Sequence, residues 1–307
     1  MSSYLITGGA GFIGSHLCDI LLARGDRVVV VDNFLSGKRQ NLPAAHPNIS
    51  VLNGDIRDIA KFRSEIGDVD AIVHLAALIS GYDSLRTPDE YVDVNVTGLQ
   101  RVIDFAATQR IRRIVFASSS TVYGNTDLSS IDESITPAPV TVYAASKLFG
   151  EHLLAMYAKL HGYSYCSLRL FNVYGPRQAV DHPYANVTCK FSYAAAHALP
   201  IKKFGDGGQS RDFVYIADVV DAFVSVLDET GNGLYNIGTG TSNSINALIS
   251  ELEKITNSTL GVELLDPWPN DVRRIQADTA KYVTTFGRRP KVSLREGLER
   301  TVDFFRA

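Results

Sequence analysis

The sequence predicts an α/β fold, with a doubly wound parallel sheet beside a smaller, partly discontinuous α/β lobe. Short apolar runs rich in Val, Ile and Leu alternate with longer helical patterns over the first 170 residues. Strands and helices that alternate in this way form a parallel sheet with helices on both faces. After Gly175, prolines and a glycine-rich turn shorten the elements. We therefore predict a core domain over residues 1–170, a sheet completed by segments near 213–240, and a lobe mainly over 171–307.

Five apolar runs are typical of buried strands, because they are rich in Val, Ile and Leu and most end in small or polar residues. These predicted strands are residues 4–7, 27–32, 71–76, 113–117 and 165–170. A further strand is expected before Gly54. The spacing of apolar residues between the strands predicts helices over residues 12–24, 88–108 and 142–161.

The composition limits the partners and the compartment. The chain has 30 basic and 33 acidic residues among 307, a balance that gives no reason to expect a nucleic-acid partner. It shows no basic leader and no apolar run near the roughly 18 residues that span a bilayer, so we expect a cytoplasmic location and no membrane partner. Cys18, Cys166 and Cys189 lie far apart without metal-ligand spacing, which favours a reducing compartment and no metal site.

A glycine-rich turn joins the first predicted strand to the first predicted helix. Gly8 permits the tight turn, Gly11 lets the backbone approach a pyrophosphate, and Gly14 lets the helix pack closely on the sheet. Phe12 and Ile13 begin the helix, whose free N–H groups and partial positive charge face the phosphates. The turn predicts a Rossmann-type dinucleotide site.

An acidic residue closes the second predicted strand. Asp32, followed by Asn33, lies 18 residues after Gly14, near the spacing of roughly 20 that such sites show. A carboxylate at this place accepts hydrogen bonds from a ribose diol and repels a 2′-phosphate, so the sequence favours NAD. Lys38 and Arg39 nearby leave NADP open as an alternative.

Two other segments fit a dinucleotide that lies across the strand ends. Asp55 and Ile56 follow the third strand, where the Asp55 carboxylate could accept from the adenine amino group. Leu75, Ala76 and Ala77 end the fourth strand with small side chains that leave room for a ribose or pyrophosphate. Each segment alone is equally typical of an ordinary loop.

A tyrosine and a lysine four residues apart lie on one predicted helix. Tyr143 and Lys147 share a face, so the phenol and the ammonium can point into one site. We expect the ammonium and a positive nicotinamide to lower the pKa of the phenol, so that it can take a hydroxyl proton while hydride leaves. Ser119 and Thr121 belong to a hydroxyl-rich strand end at the same edge of the sheet.

Taken together, these residues resemble the extended short-chain dehydrogenase/reductases. Within that family the chain is similar to the NAD-dependent nucleotide-sugar epimerase/dehydratase group, which includes UDP-glucose and UDP-GlcNAc 4-epimerases. The matching segments of the core are residues 7–14, 32–33, 118–124 and 143–147. Those of the second lobe are residues 168–178, 204–207, 211–215 and 270–272.

The resemblance implies NAD as cofactor and a role for each matching residue of the core. Tyr143 would be the base, and Lys147 its electrostatic partner and a ligand of the nicotinamide ribose. Ser119 would bind the sugar 4-hydroxyl, with Thr121 close by. Asn95 would brace the region of the catalytic helix.

The resemblance also implies that the second lobe binds the nucleotide of a UDP-sugar. The residues concerned are Asn172, Asn186 and the neighbouring Val187, Phe204 against the uracil, Arg211 on the diphosphate and Asp271 on the uridine ribose. Two alternatives stay open. The asparagines could cap turns, and Arg211 with Asp212 could form a surface pair.

The implied reaction begins with oxidation at C4 of the sugar, which gives a 4-keto intermediate. An epimerase returns the hydride to the other face, whereas a dehydratase eliminates the C6 hydroxyl. The known 4,6-dehydratases have a Thr-Asp-Glu run where this chain has Ser119-Ser120-Thr121, so the acid for elimination is missing and 4-epimerisation is favoured. Dehydration and a non-catalytic dinucleotide sensor remain alternatives.

Two further expectations concern the sugar and the assembly. Ile275 stands where the family has the residue that gates the sugar pocket, and its small size favours a UDP-GlcNAc-type substrate. The family commonly dimerises by pairing two long helices of each subunit. The patterns over residues 88–108 and 142–161 could serve, so we expect a homodimer.

Overall fold

The computed structural model describes residues 1–126, 128, 130–180, 186–229, 231–267 and 272–307. These residues form two compact units. The first unit comprises Met1–Gly124, Thr136–Arg169 and Val220–Tyr235, and the second comprises Asn125–Ile135, Leu170–Val219 and Asn236–Ala307. The domain boundary at residues 170 and 171 remains a prediction.

The strands of both units, in chain order, are β1 (Ser3–Thr7), β2 (Arg27–Asp32), β3 (Ile49–Asn53), β4 (Ala71–His74), β5 (Arg113–Ser119), β6 (Ser164–Leu170), β7 (Asn172–Tyr174), β8 (Ile201–Phe204), β9 (Ser210–Tyr215), β10 (Gly233–Ile237), β11 (Ser242–Ser244) and β12 (Val262–Leu265). The helices are α1 (Phe12–Ala23), α2 (Arg63–Ile66), α3 (Asp83–Arg86), α4 (Pro88–Tyr91), α5 (Gly98–Gln109), α6 (Val142–His161), α7 (Val187–Ala196), α8 (Ile216–Asp228), α9 (Ile245–Thr256), α10 (Ala280–Phe286) and α11 (Leu294–Arg306). Within the described part of the chain, no helix is both long enough and apolar enough to span a membrane.

A seven-stranded sheet organises the first unit, with the strand order β10-β6-β5-β4-β1-β2-β3. The pairs β1–β2, β1–β4, β2–β3 and β4–β5 are parallel. In the register of β1, Ile6 lies between Val30 on one side and Val73 on the other. The predicted Rossmann-type doubly wound fold is confirmed. The strand order reverses beside β1, and a crevice at such a point receives ligands at the carboxyl ends of the strands.

The apolar runs form strands because both faces of this sheet are covered. Leu5, Val29, Ile72 and Ile114 are fully buried. Helix residues such as Leu99 pack with them in one continuous core. This packing fixes the carboxyl ends of β1, β4 and β5, from which the candidate site residues extend.

The sequence predicts the bounds of the helix after β5, but it does not predict the internal geometry of the helical stretch before β5. α6 has the predicted bounds, because Thr141 Oγ1 accepts a hydrogen bond from Ala144 N at 3.1 Å at its start and Gly162 ends it with a φ of 75°. The helical stretch predicted over residues 88–108 is confirmed, although it is not a regular α-helix throughout. A π-helical turn, Val92–Thr97, separates α4 from α5, and it carries Asn95.

The second unit contains shorter elements, as the prolines and glycines after residue 175 indicate. Its three-stranded sheet has the order β11-β9-β7, and β12 pairs with β8 in parallel. Asn172 of β7 lies beside Phe213 of β9. Ser242 of β11 lies opposite Asp212.

Candidate functional site

The glycine turn after β1 has the close backbone approach that a bound pyrophosphate requires. Gly8 has a φ of +71°, and a Cβ atom built on it would lie 2.7 Å from Ala76 N. A Cβ atom at Gly14 would collide with the backbone of Gly8, and one at Gly11 would lie 3.2 Å from Gly8 O. A side chain at Gly8 or Gly14 would displace neighbouring backbone, and one at Gly11 would be tight.

The N-terminus of α1 leaves its positive end available to an anion. Gly11 is the N-cap residue, no side chain of the described residues caps the helix there, and the first turn carries no acidic residue. Phe12 and Ile13 open the helix as predicted. Glycines that admit a close approach and an uncapped helix N-terminus together fit the phosphates of a dinucleotide.

Asp32 lies at the end of β2 with its carboxylate fixed by the backbone. Its Oδ2 accepts from Ala10 N at 2.9 Å, and its Oδ1 accepts from Phe34 N at 2.8 Å. The side chain is 7% exposed. Each oxygen keeps a second lone pair, so the carboxylate can accept from the hydroxyls of a ribose. Arg39, which left NADP open as an alternative, donates from its guanidinium to Leu42 O and to Pro43 O.

Asp55 forms an ion pair that keeps it negative. Both of its oxygens accept from the Arg57 guanidinium, at 2.7 and 2.8 Å, and Asn33 Nδ2 donates to Oδ2 at 3.3 Å. These contacts, led by the hydrogen bond from Arg57, lower the pKa of Asp55 to about 2. The following Ile56 is buried. The structure thus places Asn33 and Asp55 side by side beyond β2 and β3.

The segment Leu75, Ala76 and Ala77 follows β4 and runs close to the glycine turn. Leu75 N donates to Thr7 O at 3.1 Å, and Ala76 N donates to Thr7 Oγ1 at 3.4 Å. The ends of β1 and β4 are therefore joined at the point where the strand order reverses. The small side chains there were predicted to leave room for a ribose or pyrophosphate.

Tyr143 and Lys147 lie together at the carboxyl end of β5. Lys147 is 3% exposed, and its Nζ donates to Ala117 O at 2.9 Å. The same atom lies 5.9 Å from the centre of the Tyr143 ring and 4.9 Å from that of Phe116. The predicted sharing of one helix face is observed.

A directed chain of hydrogen bonds reaches the phenol. Thr121 donates to Ser119 Oγ twice, from its backbone N at 3.2 Å and from its hydroxyl at 2.9 Å. Since Ser119 Oγ accepts from Thr121, its own proton is left to donate to the Tyr143 oxygen, with which it forms a hydrogen bond. The hydroxyl-rich strand end is thus part of the site rather than a plain turn.

Burial controls the pKa values of both groups. It raises the pKa of Tyr143 to about 12, although the Ser119 hydrogen bond acts in the opposite direction. It lowers the pKa of Lys147 to about 7, although the negative charge of Glu151 opposes the change. The sequence led us to expect a lowered pKa for the phenol. That expectation includes the positive charge of a bound nicotinamide, so it stays a prediction; in the protein without the dinucleotide, loss of solvation has the largest effect on the phenol.

Asn95 braces the start of α6. Its Nδ2 donates to Ser146 Oγ at 3.0 Å and to Leu78 O at 3.0 Å, and its Oδ1 accepts from Leu78 N at 2.8 Å. Ser146 in turn donates to Tyr143 O at 2.7 Å. The amide thereby connects the loop after β4 to the turn of α6 that carries the phenol.

The second unit places two of the predicted nucleotide ligands beside each other. Asn186 Nδ2 donates to Val173 O at 2.9 Å, next to Asn172 in β7. Its Oδ1 accepts from Thr188 N at 3.1 Å, so Asn186 also caps α7, which begins at Val187. Asn186 therefore caps α7 and also lies close to Asn172.

Phe204 and Arg211 lie on two strands of the second unit, β8 and β9, which follow each other in the chain but belong to different sheets. Phe204 ends β8, and its carbonyl accepts from Gln209 Nε2 at 3.0 Å. Arg211 belongs to β9, and its Nη1 donates to Val272 O at 2.6 Å and to Ser210 O at 2.9 Å. The predicted ribose ligand Asp271 lies outside the described residues.

One alternative for Arg211 is wrong. Asp212 is fully buried, so it cannot form a surface pair with its neighbour. Its carboxylate accepts from Thr239 N at 2.8 Å, from Gly240 N at 2.9 Å and from Ala277 N at 3.1 Å. Asp212 thus joins β9 to the segment at residues 239–240 and to the segment at Ala277.

Sequence reasoning missed Glu151, Arg169 and Asp212. Glu151 accepts from Arg169 Nε and Nη2 at 2.9 and 2.7 Å inside the first unit. Its position four residues after Lys147 places it on the same helix face, and that spacing was the available signal. The sequence offered no signal for the burial of Asp212, because its partners are distant in the chain.

Comparison with known proteins agrees with this geometry. The model of the NAD dependent epimerase/dehydratase family matches residues 4–238. UDP-glucose 4-epimerase of Mycolicibacterium smegmatis is 37% identical over 312 residues, which cover 98% of each chain.

Two solved structures share the whole fold. UDP-N-acetylglucosamine 4-epimerase from Methanobrevibacter ruminantium, in complex with UDP-N-acetylmuramic acid, has a TM-score of 0.95 at 34% identity and covers 99% of this chain and 98% of its own. UDP-glucose 4-epimerase from Thermus thermophilus, in complex with NAD, has a TM-score of 0.91 at 35% identity and covers 99% of both chains. The chain therefore belongs to the NAD-dependent epimerase/dehydratase family and is an NAD-dependent enzyme.

Proposed function

We propose that the protein is a UDP-sugar 4-epimerase that acts on a UDP-GlcNAc-type hexose through transient oxidation at C4. The observation that carries the proposal is the hydrogen-bond chain from Thr121 through Ser119 to Tyr143, with Lys147 beside the phenol. Such a chain can move a hydroxyl proton at the carboxyl edge of the sheet, where the glycine turn also lies.

The first unit supplies a site for the dinucleotide. Gly8, Gly11 and Gly14, with Phe12 and Ile13 at the start of α1, would hold the pyrophosphate. Asp32 would accept from the adenosine ribose, with Asn33, Asp55 and Ile56 along the adenine side. Leu75, Ala76 and Ala77 would line the opposite wall, Asn95 would brace the catalytic helix, and Lys147 would bind the nicotinamide ribose. Bound NAD⁺ supplies the hydride acceptor for C4.

The proton half of the reaction belongs to Tyr143. Its phenolate takes the proton of the sugar 4-hydroxyl while the C4–H bond breaks, so that a C4 carbonyl forms. Ser119 donates to the oxygen on which charge changes, and Lys147 stabilises the phenolate. In the return half, the phenol gives the proton back to O4. The charge on Lys147 therefore favours the form of Tyr143 that burial alone disfavours.

The residues around the phenol favour epimerisation over dehydration. Elimination of the C6 hydroxyl needs an acid to protonate the leaving group. At the end of β5 this chain has Ser119, Ser120 and Thr121, which are poor proton donors compared with a carboxylic acid. An epimerase needs no such acid, because the sugar keeps all its atoms.

The sugar is proposed from Ile275 and from the relatives. Ile275 is smaller than a tyrosine gate and would leave room for an N-acetyl group. One structural relative with the same fold is a UDP-N-acetylglucosamine 4-epimerase. In the second unit, Asn172, Asn186, Val187, Phe204, Arg211 and Asp271 would hold the uridine diphosphate.

The assembly that we propose is a homodimer formed through α6. Its outer face exposes a row of apolar side chains, Phe149, Met156 and Leu160, of which Leu160 is 70% exposed. Residues four and seven apart lie on one side of a helix, so a second copy can cover the row. The three cysteines are buried thiols rather than disulfides, and this agrees with a reducing, cytoplasmic location.

One experiment separates the possible reactions. The purified full-length chain is incubated with NAD⁺ and UDP-GlcNAc, or with UDP-glucose, and the products are resolved by chromatography and weighed by mass spectrometry. An isomer of unchanged mass supports the epimerase, whereas the loss of one water shows a dehydratase. Binding of NAD and UDP-sugar without any product would overturn the enzymatic proposal in favour of a sensor.

A further inference from the structure

Three side chains on successive turns of α6 contact the last three residues of β5. Tyr143 forms a hydrogen bond with the Ser119 hydroxyl. Lys147 Nζ donates to the carbonyl of Ala117 at 2.9 Å, and Glu151 accepts from the Ser118 hydroxyl. The pairs are Tyr143–Ser119, Lys147–Ala117 and Glu151–Ser118. The third of these pairs has no part in the proton transfer described above.

Glu151 is a buried carboxylate with a complete set of partners. It is 7% exposed, and Arg169, at 2% exposed, donates to both of its oxygens. Ser118 donates to Oε1 in a short hydrogen bond. The Arg169 guanidinium also lies 4.6 Å from the centre of the Tyr123 ring. The side chain of Glu151 is thus fixed in position.

Lys147 has few compensating charges apart from Glu151. From β4 it faces His74, which burial and the ammonium itself keep neutral, with a pKa of about 3. From β5 it faces the ring of Phe116, and from its own helix the neutral phenol of Tyr143 and the carboxylate of Glu151. The cation of Arg169 on β6 is bound to that carboxylate. Among these groups, Glu151 supplies the negative charge.

A merely structural role does not account for this ion pair. Removing two charges from water costs several kcal/mol for each ion, and an apolar pair of similar volume is often at least as stabilising. The hydrogen bond from Ser118 at the end of β5 and the effect of the Glu151 charge on Lys147 point to a different role for the pair.

We propose that Glu151 is a positioning residue of the active site. Its carboxylate keeps the Lys147 ammonium protonated beside the phenol, and its bond to Ser118 fixes the neighbouring Ser119 against Tyr143. Arg169 holds the Glu151 carboxylate in this orientation. The kinetic consequence rests on the proposed function, whereas the effect on Lys147 does not.

The direct test follows the titration of Lys147 by NMR in the full-length protein labelled with ¹³C-lysine. The Lys147 signal is assigned by its loss in Lys147→Met. In Glu151→Gln the amide keeps most of the volume but not the charge, so the midpoint should move to lower pH by about one unit. An unchanged midpoint, or one that moves to higher pH, would overturn the proposal.

Arg113→Gln is the matched control. Arg113 is buried at the other end of β5 and donates to Gly231 O at 2.9 Å and to Ser164 Oγ at 3.0 Å. The Arg113→Gln variant should have a lower Tm, and the midpoint of the Lys147 titration should stay unchanged. A midpoint that shifts equally in this control would assign the effect to general loosening of the fold and reject Glu151.

A second variant covers the case in which Glu151→Gln does not fold. The double substitution Glu151→Met with Arg169→Met replaces the ion pair by apolar side chains of similar length. It should keep the fold and still lower the Lys147 midpoint. In both variants the high-pH limb of kcat should move to lower pH by about one unit, with KM for the UDP-sugar unchanged. A wild-type protein without turnover would refute the proposed function and leave the NMR result standing.

Discussion

The Thr121 hydroxyl donates a hydrogen bond to Ser119 Oγ, and the two oxygens are 2.9 Å apart. This bond turns the Ser119 proton toward Tyr143, so Thr121 controls the hydrogen bonding of the phenol through Ser119. We expect Thr121→Val, which keeps the shape and the backbone N–H but removes the hydroxyl donor, to lower kcat roughly fivefold, since one hydrogen bond of this kind contributes about 1 kcal/mol. Steady-state kinetics measure the loss. Ser120→Ala removes the neighbouring hydroxyl and should leave kcat near wild type, and equal losses in both variants would refute the relay.

Tyr143→Phe should abolish most of the turnover without loss of binding. The substitution removes the group that takes the proton and keeps the ring, so we expect kcat to fall by about 10³-fold. Calorimetry should find NAD and UDP-sugar affinities within about threefold of wild type. Retention of more than a tenth of the wild-type kcat would show that another group is the base.

The Asp32 carboxylate should determine the choice of dinucleotide. Asp32→Asn removes the negative charge and one acceptor, and hydrogen bonds to charged groups contribute about 1.5–3 kcal/mol. NAD affinity should therefore fall by roughly 10- to 100-fold, while NADP affinity falls less or rises. Fluorescence titration with both dinucleotides measures this. Asp89→Asn changes an exposed carboxylate on α4 and should alter neither affinity.

The buried ammonium of Lys147 should make stability depend on pH. Its folded-state pKa is about 7, below the ordinary value of 10.5, so between these values the unfolded chain binds more protons than the folded chain. Stability should then rise with pH in this window, by at most about 1.4 kcal/mol per pH unit, and Lys147→Met should lack this rise. Urea unfolding of both proteins from about pH 6 to about pH 9 measures the difference. Parallel pH profiles for the two proteins would contradict the prediction.

Asp212 should connect the stability of the second unit with nucleotide affinity. In Asp212→Asn, the amide group faces N–H donors that the carboxylate satisfied, and a buried unsatisfied donor costs about 1–3 kcal/mol. We expect a lower Tm and weaker UDP binding with unchanged NAD binding. Asp206→Asn, which removes an exposed partner of Arg273, is the control. Loss of NAD affinity in Asp212→Asn would contradict a role confined to the second unit.

The sequence predicts best what local rules determine. The glycine turn, the end of β2 at Asp32 and the bounds of α6 depend on backbone sterics, apolar spacing and capping within a few residues, and all three are found. The helical stretch predicted over residues 88–108 is also found, but its π-helical turn Val92–Thr97 was not predicted, since the contacts of Asn95 with Leu78 and Ser146 are distant in the chain.

The candidate site shows the same division. The face shared by Tyr143 and Lys147 follows from helical spacing and is observed. The raised pKa of the phenol depends on how completely tertiary packing removes solvent, and spacing carries no such information. The partners of Glu151 come from two different strands, so its role is visible only in three dimensions.

The π-helical turn Val92–Thr97 makes the site sensitive to chain length. Each residue in a helix turns its side chain by about 100°, so a shortening by one residue would leave a regular helix and rotate Asn95 away from Ser146. Such a chain could keep its core and lose the brace of its catalytic helix. Single-residue deletions in this stretch would separate folding from activity.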